Sequence, residues 1–300
     1  MKPRPFEAML SDLDNALSFC RGTLKLEDPV ARSRFTRHHR PLIERLCISI
    51  RTGGSAEARA IFASDPVGFS IAFTEAEEIV ELLPFLRSTE TKIVRPRVER
   101  ALLGPPIPTD EDQNSSKGRN ALFELVMAAK LKQAGYEPIL GKHPDLAIDA
   151  DGRRLLIECK RPASEGAVRK RIKEAGTQLA GQVRSWRSGA GTRGVVAVSL
   201  TKLINPGDKV LTYTGVDDGR RFLGDALERL QKEFESTVRA LPPKVIGVLW
   251  HVITPALDKT SGTFAVGQFT LVQGINRTSQ NDSAPLGRVH DRLRIAFGLT

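Results

Sequence analysis

Apolar residues in the first hundred positions recur at helical spacing. Phe6, Met9, Leu10, Leu13 and Leu17 share one face of a helix over Phe6–Phe19. The same period predicts helices over Pro41–Ile50 and Ser55–Ala63, separated by Gly53-Gly54, and over Thr74–Leu86 beyond Asp65-Pro66. Thr74 and Glu77 are spaced as a capping box that would open the last of these. A further helix is expected over Arg97–Leu103. The pattern then stops. Gly104-Pro105-Pro106-Ile107-Pro108 runs into Thr109-Asp110-Glu111-Asp112-Gln113-Asn114-Ser115-Ser116, and prolines, acids and small polar residues cannot build a core. Residues 105–118 therefore read as a linker between a helical N-terminal domain (1–104) and a second domain (119–300).

Beyond the linker, helical and strand-like patterning alternate. A helix over Asn120–Ala134 would end at Gly135 as a C-cap. Short strands are expected at Glu137–Leu140 and Asp145–Asp149, then a hairpin turn at Asp151-Gly152 and a return strand over Arg154–Lys160, stopped by Pro162. Gly166–Arg187 reads as a long helix with its apolar stripe at Val168, Ile172, Ala175, Leu179, Val183 and Trp186. A Val-rich strand over Gly194–Leu200, a helix over Asp217–Val238, strands over Val245–Thr254 and Phe264–Val272 and a helix over Arg288–Phe297 complete the chain. This rhythm predicts an α/β domain, a mixed central sheet flanked by helices, preceded by an all-helical region.

Composition narrows the function. The chain has 300 residues, 40% of them hydrophobic, enough for a sizeable core, and its 27% of charged residues argue against wholesale disorder. The net charge of +10 favours polyanionic partners, nucleic acid above all. Between Arg153 and Arg187 ten basic residues face three acidic ones, so most of that excess sits in one stretch. The cysteines Cys20, Cys47 and Cys159 are odd in number and lack CxxC or Cys/His spacing, which argues against a disulfide framework or a zinc site. A reduced, cytoplasmic setting is expected. The longest apolar run, around 245–253, is too short to cross a bilayer, and no membrane partner is expected.

The chemistry gathers at Pro144-Asp145 and Glu158-Cys159-Lys160. Glu158 and Lys160, two apart in a strand, point to one face. Pairing Ala150 with Arg153 across the Asp-Gly turn sets Asp149 opposite Arg154 and Asp145 opposite Glu158, with Cβ atoms about 4.5–5.5 Å apart. Two facing carboxylates about 4 Å apart repel by roughly 4 kcal/mol at an effective dielectric near 20. A divalent cation removes that cost. Carboxylate oxygens and waters suit Mg²⁺ or Mn²⁺. The adjacent Lys160 ammonium would position a water or stabilise developing negative charge. That set is suited to hydrolysis of a phosphate ester.

These residues resemble the PD-(D/E)xK nuclease superfamily, the restriction-endonuclease-like fold. Its order of helix, three strands, helix and strand matches Asn120–Leu200. The resemblance implies a metal-dependent nuclease, acting on DNA rather than RNA by family frequency and leaving 5′-phosphate ends. It implies that Asp145, Glu158 and the Cys159 backbone carbonyl hold Mg²⁺, with Mn²⁺ able to substitute, and that Lys160 positions the attacking water. It adds Glu124 on the preceding helix as a further catalytic and metal-binding residue. Some exonuclease-like branches of the superfamily place a glutamine on the following helix, where Gln178 and Gln182 both qualify. Trp186 stands four residues after Gln182, the spacing at which such branches often carry an aromatic. Arg161, Arg169, Lys170, Arg171 and Lys173, with those glutamines, form the expected nucleic-acid-binding track. The alternatives are a catalytically silent nucleic-acid-binding module on the same fold, a partner-activated nuclease subunit, and a scaffold whose acidic hairpin face is ordinary surface.

The remaining signals are weaker. Gly189-Ala190-Gly191-Thr192-Arg193-Gly194 fits GxGxxG, but it follows a helix and precedes a strand, the reverse of a dinucleotide fingerprint. His38 and His39 read as surface residues, His143 as a turn residue and His251 as core. The N-terminal helices show no catalytic pattern, and their role is open between nucleic acid, a partner protein and a homodimer.

Overall fold

A computed structural model of the chain describes residues 5–108, 116–186, 191–258, 263–275 and 280–296. The N-terminal region is helical: α1 (Phe6–Gly22), α2 (Glu27–Arg32), α3 (Arg40–Ser64), α4 (Pro66–Glu81), α5 (Leu83–Ser88) and α6 (Thr91–Leu102), with a π-helical turn over Phe35–His39. Next come α7 (Lys117–Gln133), β1 (Ile139–Leu140), β2 (Leu146–Ala150), β3 (Arg153–Lys160), α8 (Glu165–Ser185), β4 (Arg193–Ser199), α9 (Thr201–Ile204), β5 (Leu211–Tyr213), α10 (Val216–Arg239), β6 (Val245–Asp258), β7 (Thr263–Gly274) and α11 (Gln280–Ala296). The protein is thus α/β, with a seven-stranded mixed sheet and a helical N-terminal region. It divides into two compact units. The first comprises 1–126, 207–219 and 254–267, and the second 127–206, 220–253 and 268–300.

In the first unit the sequence expectations need three corrections. Thr74 does not open a helix. α4 starts at Pro66, where Asp65 caps it by accepting a 2.9 Å bond from the Gly68 N–H, and Pro66 supplies the fixed φ of a first helical residue. Thr74 lies mid-helix, its hydroxyl donating to the Ser70 carbonyl at 2.9 Å. Gly53-Gly54 does not separate two helices but bends one, α3, at Gly54 (φ +69°, ψ −163°), a conformation open essentially only to glycine. α2 and the Phe35–His39 turn lie where no helix was expected. α4 is the buried element, with Phe69 to Ala76 and Ile79 all inside, so its hydrophobicity runs round the helix rather than along one stripe. Phe6 and Phe73 rings lie 4.9 Å apart, tying α1 to it.

The second unit carries the site. α7 closes at Gly135 (φ +83°) with bonds from the Gly135 N–H to Lys132 and from the Tyr136 N–H to Leu131, the paired pattern of a Schellman cap. β1 pairs antiparallel with β2, β2 antiparallel with β3, and β3 parallel with β4, which is parallel with β6. β5 pairs with the far end of β6 inside the first unit, and β7 also pairs with β6. α8 is capped by Ser164 and packs on β3 and β4 through Val168, Ile172, Ala175, Leu179 and Val183. Gly194 fits beneath it because a Cβ there would press on Leu179. Trp250 of β6 stacks on Phe234 of α10 at 6.1 Å and donates from Nε1 to Gln273 of β7 at 3.1 Å. The helix expected at Arg288 begins at Gln280, and α9 and β5 are too short for periodicity to reveal.

Candidate active site

The Asp151-Gly152 turn forms as its residue types require, with both in the left-handed region (φ +52° and +76°), the backbone of a type I′ hairpin. It sets the register Ala150↔Arg153, Asp149↔Arg154 and onward to Leu146↔Ile157. The ladder ends there, one step short of Asp145 and Glu158. Asp145 sits just ahead of β2, and its Oδ2 accepts a 2.8 Å hydrogen bond from the Cys159 N–H. Gly141 lies so close to the Pro144 carbonyl that a Cβ would meet it at 2.6 Å, and its N–H bonds the Asp145 carbonyl at 3.1 Å. The loop leading to Asp145 is therefore held tightly. His143 is an exposed residue of this loop, joined to Pro144 by a cis peptide.

β3 is buried at four consecutive positions, Leu155 to Glu158. Both faces of the strand are therefore covered there, and the alternation of one dry and one wet face does not apply. Glu158 is only 2% exposed. Its charge is met on both oxygens. Lys160 Nζ lies 2.9 Å from Oε2, and Gln182 Nε2 of α8 donates to Oε1 at 2.8 Å. Gln182 is thus the glutamine that reaches the carboxylates, whereas Gln178 faces solvent. Gln182 Oε1 is itself buried with no hydrogen-bond partner among the described residues.

The other expected site residues are placed as follows. Glu124 belongs to the first-unit half of α7, and its carboxylate lies 3.5 Å from Arg97 Nε. Its assignment to a metal rests on the family resemblance alone. Arg169 donates to Glu233 at 3.3 Å and covers the Phe234 ring, and Arg171 and Lys170 both pair with Glu174. Part of the local positive excess is therefore neutralised within the unit. Lys173 and Arg184 are exposed, and Arg161 is half-buried just past Lys160. Arg187, Gly189 and Ala190 lie outside the described residues. Trp186 ends α8 beneath the Arg154 guanidinium, which also forms a two-pronged pair with Asp149.

One charged cluster had no counterpart in the sequence reading. Glu75 of α4, within the first unit, receives hydrogen bonds from Arg34, Arg119 and His39. Burial alone would raise the Glu75 carboxyl, but Arg119, Arg34 and the His39 hydrogen bond outweigh it and hold the group well below the usual carboxylate range. Burial keeps His39 neutral. His39 is therefore buried, not a surface residue. Arg34 also donates to the Ala101 and Leu103 carbonyls, and Arg119 to Pro106, so the start of the 105–118 segment is tied to the helices. The available signal was an acid in the middle of an otherwise apolar helix, which must find buried counter-charges.

No protein-family model matches the chain, and no curated protein does. All three cysteines are free, and no helix among the described residues is long and apolar enough to cross a membrane.

Proposed function

We propose that this chain is a metal-dependent nuclease of the PD-(D/E)xK type, on a restriction-endonuclease-like core, hydrolysing phosphodiester bonds of nucleic acid, DNA rather than RNA. The observation that carries the reading is the bond from the Cys159 N–H to Asp145. It fastens the Asp145 carboxylate to the backbone of β3 at the residue that stands between Glu158 and Lys160 in the chain. The order α7, three antiparallel strands, α8 and a parallel β4 supports the same core.

Among the described residues no group of three or more His, Cys, Asp or Glu gathers so as to hold a metal ion. The reading therefore relies on Mg²⁺, which keeps several waters and is bound through one or two carboxylates. Gln182 Oε1, buried and without a hydrogen-bond partner, leaves a further oxygen beside Glu158 for a water of such a shell. Asp145, Glu158 and the Cys159 carbonyl would hold the ion. When bound, it would supply Lewis-acid polarisation of the phosphoryl oxygen and a more acidic water.

The chain's own groups do the rest. α8 covers Glu158 and keeps bulk water from it, which strengthens its interactions. Gln182 fixes the Glu158 rotamer. Lys160, whose side chain is 18% exposed, is open to solvent, as the half-buried Asp145 is, and its ammonium would orient the attacking water or stabilise charge on the phosphoryl oxygens. Arg161, half-buried, and Lys173, exposed, would meet backbone phosphates.

The second reading, a silent or partner-activated nucleic-acid-binding module, draws on the engagement of both Glu158 oxygens by Lys160 and Gln182. One assay separates them: cleavage and binding of single- and double-stranded DNA and RNA with Mg²⁺ or Mn²⁺, for wild type, Glu158→Ala and Lys160→Ala. Metal-dependent cleavage lost in both variants supports the nuclease. Binding without cleavage, unchanged in the variants, supports the module. Cleavage surviving both substitutions overturns the site.

A further inference from the structure

A second concave site lies within the sheet-bearing unit, away from the chemistry above in both sequence and composition. It is a cavity of about 300 Å³ lined by Arg220 and Glu228 of α10, Phe269 and Thr270 of β7, and His290 and Arg294 of α11. That volume is at the lower end of the range of small-molecule sites.

Its lining is chemically unusual for a surface hollow. Two guanidiniums stand against a single carboxylate of the lining, Glu228, so the charge balance favours an anion, and the His290 imidazole adds a polar edge. Thr270 is 1% exposed, yet its hydroxyl has no hydrogen-bond partner among the described residues. The same is true of His290 Nε2, which is buried although the ring as a whole is partly exposed; the other ring nitrogen lies 3.9 Å from Asp291. A buried hydroxyl and a buried ring nitrogen left unpaired cost free energy unless a ligand meets them. Phe269 supplies an apolar wall beside these polar groups.

We propose that this pocket binds a small phosphate-bearing anion, with Arg220, Arg294, Thr270 and His290 taking the phosphoryl oxygens and Phe269 facing whatever the phosphate carries. A phosphoryl group presents three terminal oxygens to these four donors. A carboxylate presents only two. Guanidiniums pair with phosphate through parallel, charge-assisted bonds. An aromatic wall suits the flat base of a nucleotide, so a nucleoside 5′-monophosphate and free phosphate are the two sources to separate.

The test is calorimetric titration of the full chain, in metal-free buffer, with inorganic phosphate and separately with a nucleoside 5′-monophosphate. Leaving out the metal keeps the outcome independent of the nuclease reading. Tighter binding of the nucleotide than of phosphate assigns the pocket to nucleotides, and equal binding assigns it to the phosphate group alone. In either case Arg294→Gln, an exposed position, and Thr270→Val, which exchanges the hydroxyl for a methyl, each weaken binding by roughly tenfold. Cleavage of a short DNA substrate stays at the wild-type level in both. No binding of either ligand at millimolar concentration, or binding that neither variant weakens, overturns the proposal.

Discussion

Gln182 of α8 and Glu158 of β3, 24 residues apart in the chain, are joined by a 2.8 Å hydrogen bond from Nε2 to Oε1. The bond links the helix covering the sheet to a carboxylate buried in it, and it distinguishes Gln182 from Gln178 one turn earlier.

Gln182→Ala leaves the Glu158 side chain without its second donor. Groups that orient metal-binding carboxylates typically contribute about 10–100-fold. Cleavage is expected to fall by that amount while the fold is retained. Gln178→Ala, at an exposed position, leaves both cleavage and stability unchanged to within about 0.5 kcal/mol. Paired cleavage assays and urea titrations read both effects. Equal losses in the two variants contradict the assignment.

Asp145 has a structural and a chemical task, and two substitutions separate them. Asp145→Asn keeps an oxygen for the Cys159 N–H, so the stability change should stay under about 1 kcal/mol while cleavage disappears. Asp145→Ala loses both, with a stability loss of about 1–3 kcal/mol, since the bond is to a charged acceptor. Equilibrium unfolding beside the cleavage assay distinguishes them. Cleavage by the Asn variant at the wild-type rate contradicts a role for the carboxylate charge.

How much of this was legible in the sequence depends on the range of the interaction. The Asp151-Gly152 turn is local, and its residue types alone gave the register that runs from Ala150 opposite Arg153 to Leu146 opposite Ile157. Helix α8 and its stripe were equally local. What escaped depends on distant partners. Leu155-Leu156-Ile157 is a continuous apolar run, the mark of a strand covered on both faces, but the alternation Glu158-Cys159-Lys160 suggested one open face. Thr74 and Glu77 had capping-box spacing, yet Asp65-Pro66 is a stronger start eight residues earlier. His39 gave no local sign of burial, because its partner Glu75 lies 36 residues away.

Glu75 should be among the most sensitive positions in the helical region. Glu75→Ala strands Arg34 and Arg119 as buried, uncompensated charges, at a cost of about 3–5 kcal/mol. Because the folded carboxyl is held well below its usual value, its contribution is fully present above an unfolded pKa near 4.3 and is lost as the pH falls through the folded value. Acid unfolding of wild type and variant, compared by circular dichroism, checks both parts. A variant as stable as wild type at pH 7 contradicts the role.

His251 acts in a higher pH window. Burial, aided by the Lys130 charge, pushes the imidazole down to about 3 from its usual 6.5. The folded state therefore refuses a proton that the unfolded chain accepts. Stability is full above about pH 6.5 and declines by about 1.4 kcal/mol per pH unit toward pH 3 from this residue alone. His251→Leu removes that slope, so the difference between variant and wild type in urea titrations at pH 7 and pH 5 isolates it. Parallel curves for the two proteins contradict the assignment.

The continuous burial of β3 sets activity against robustness. A charged side chain buried in a central strand, held by Lys160 and Gln182, contributes less to folding than a well-packed aliphatic would. A chain with no use for the carboxylate would gain in stability from Glu158→Leu once Lys160 and Gln182 had repacked around it. Selection for stability alone thus works against the residue, and its upkeep needs a benefit of another kind. Libraries sorted only for thermal resistance should discard Glu158 early, and those sorted for cleavage should keep it to the end.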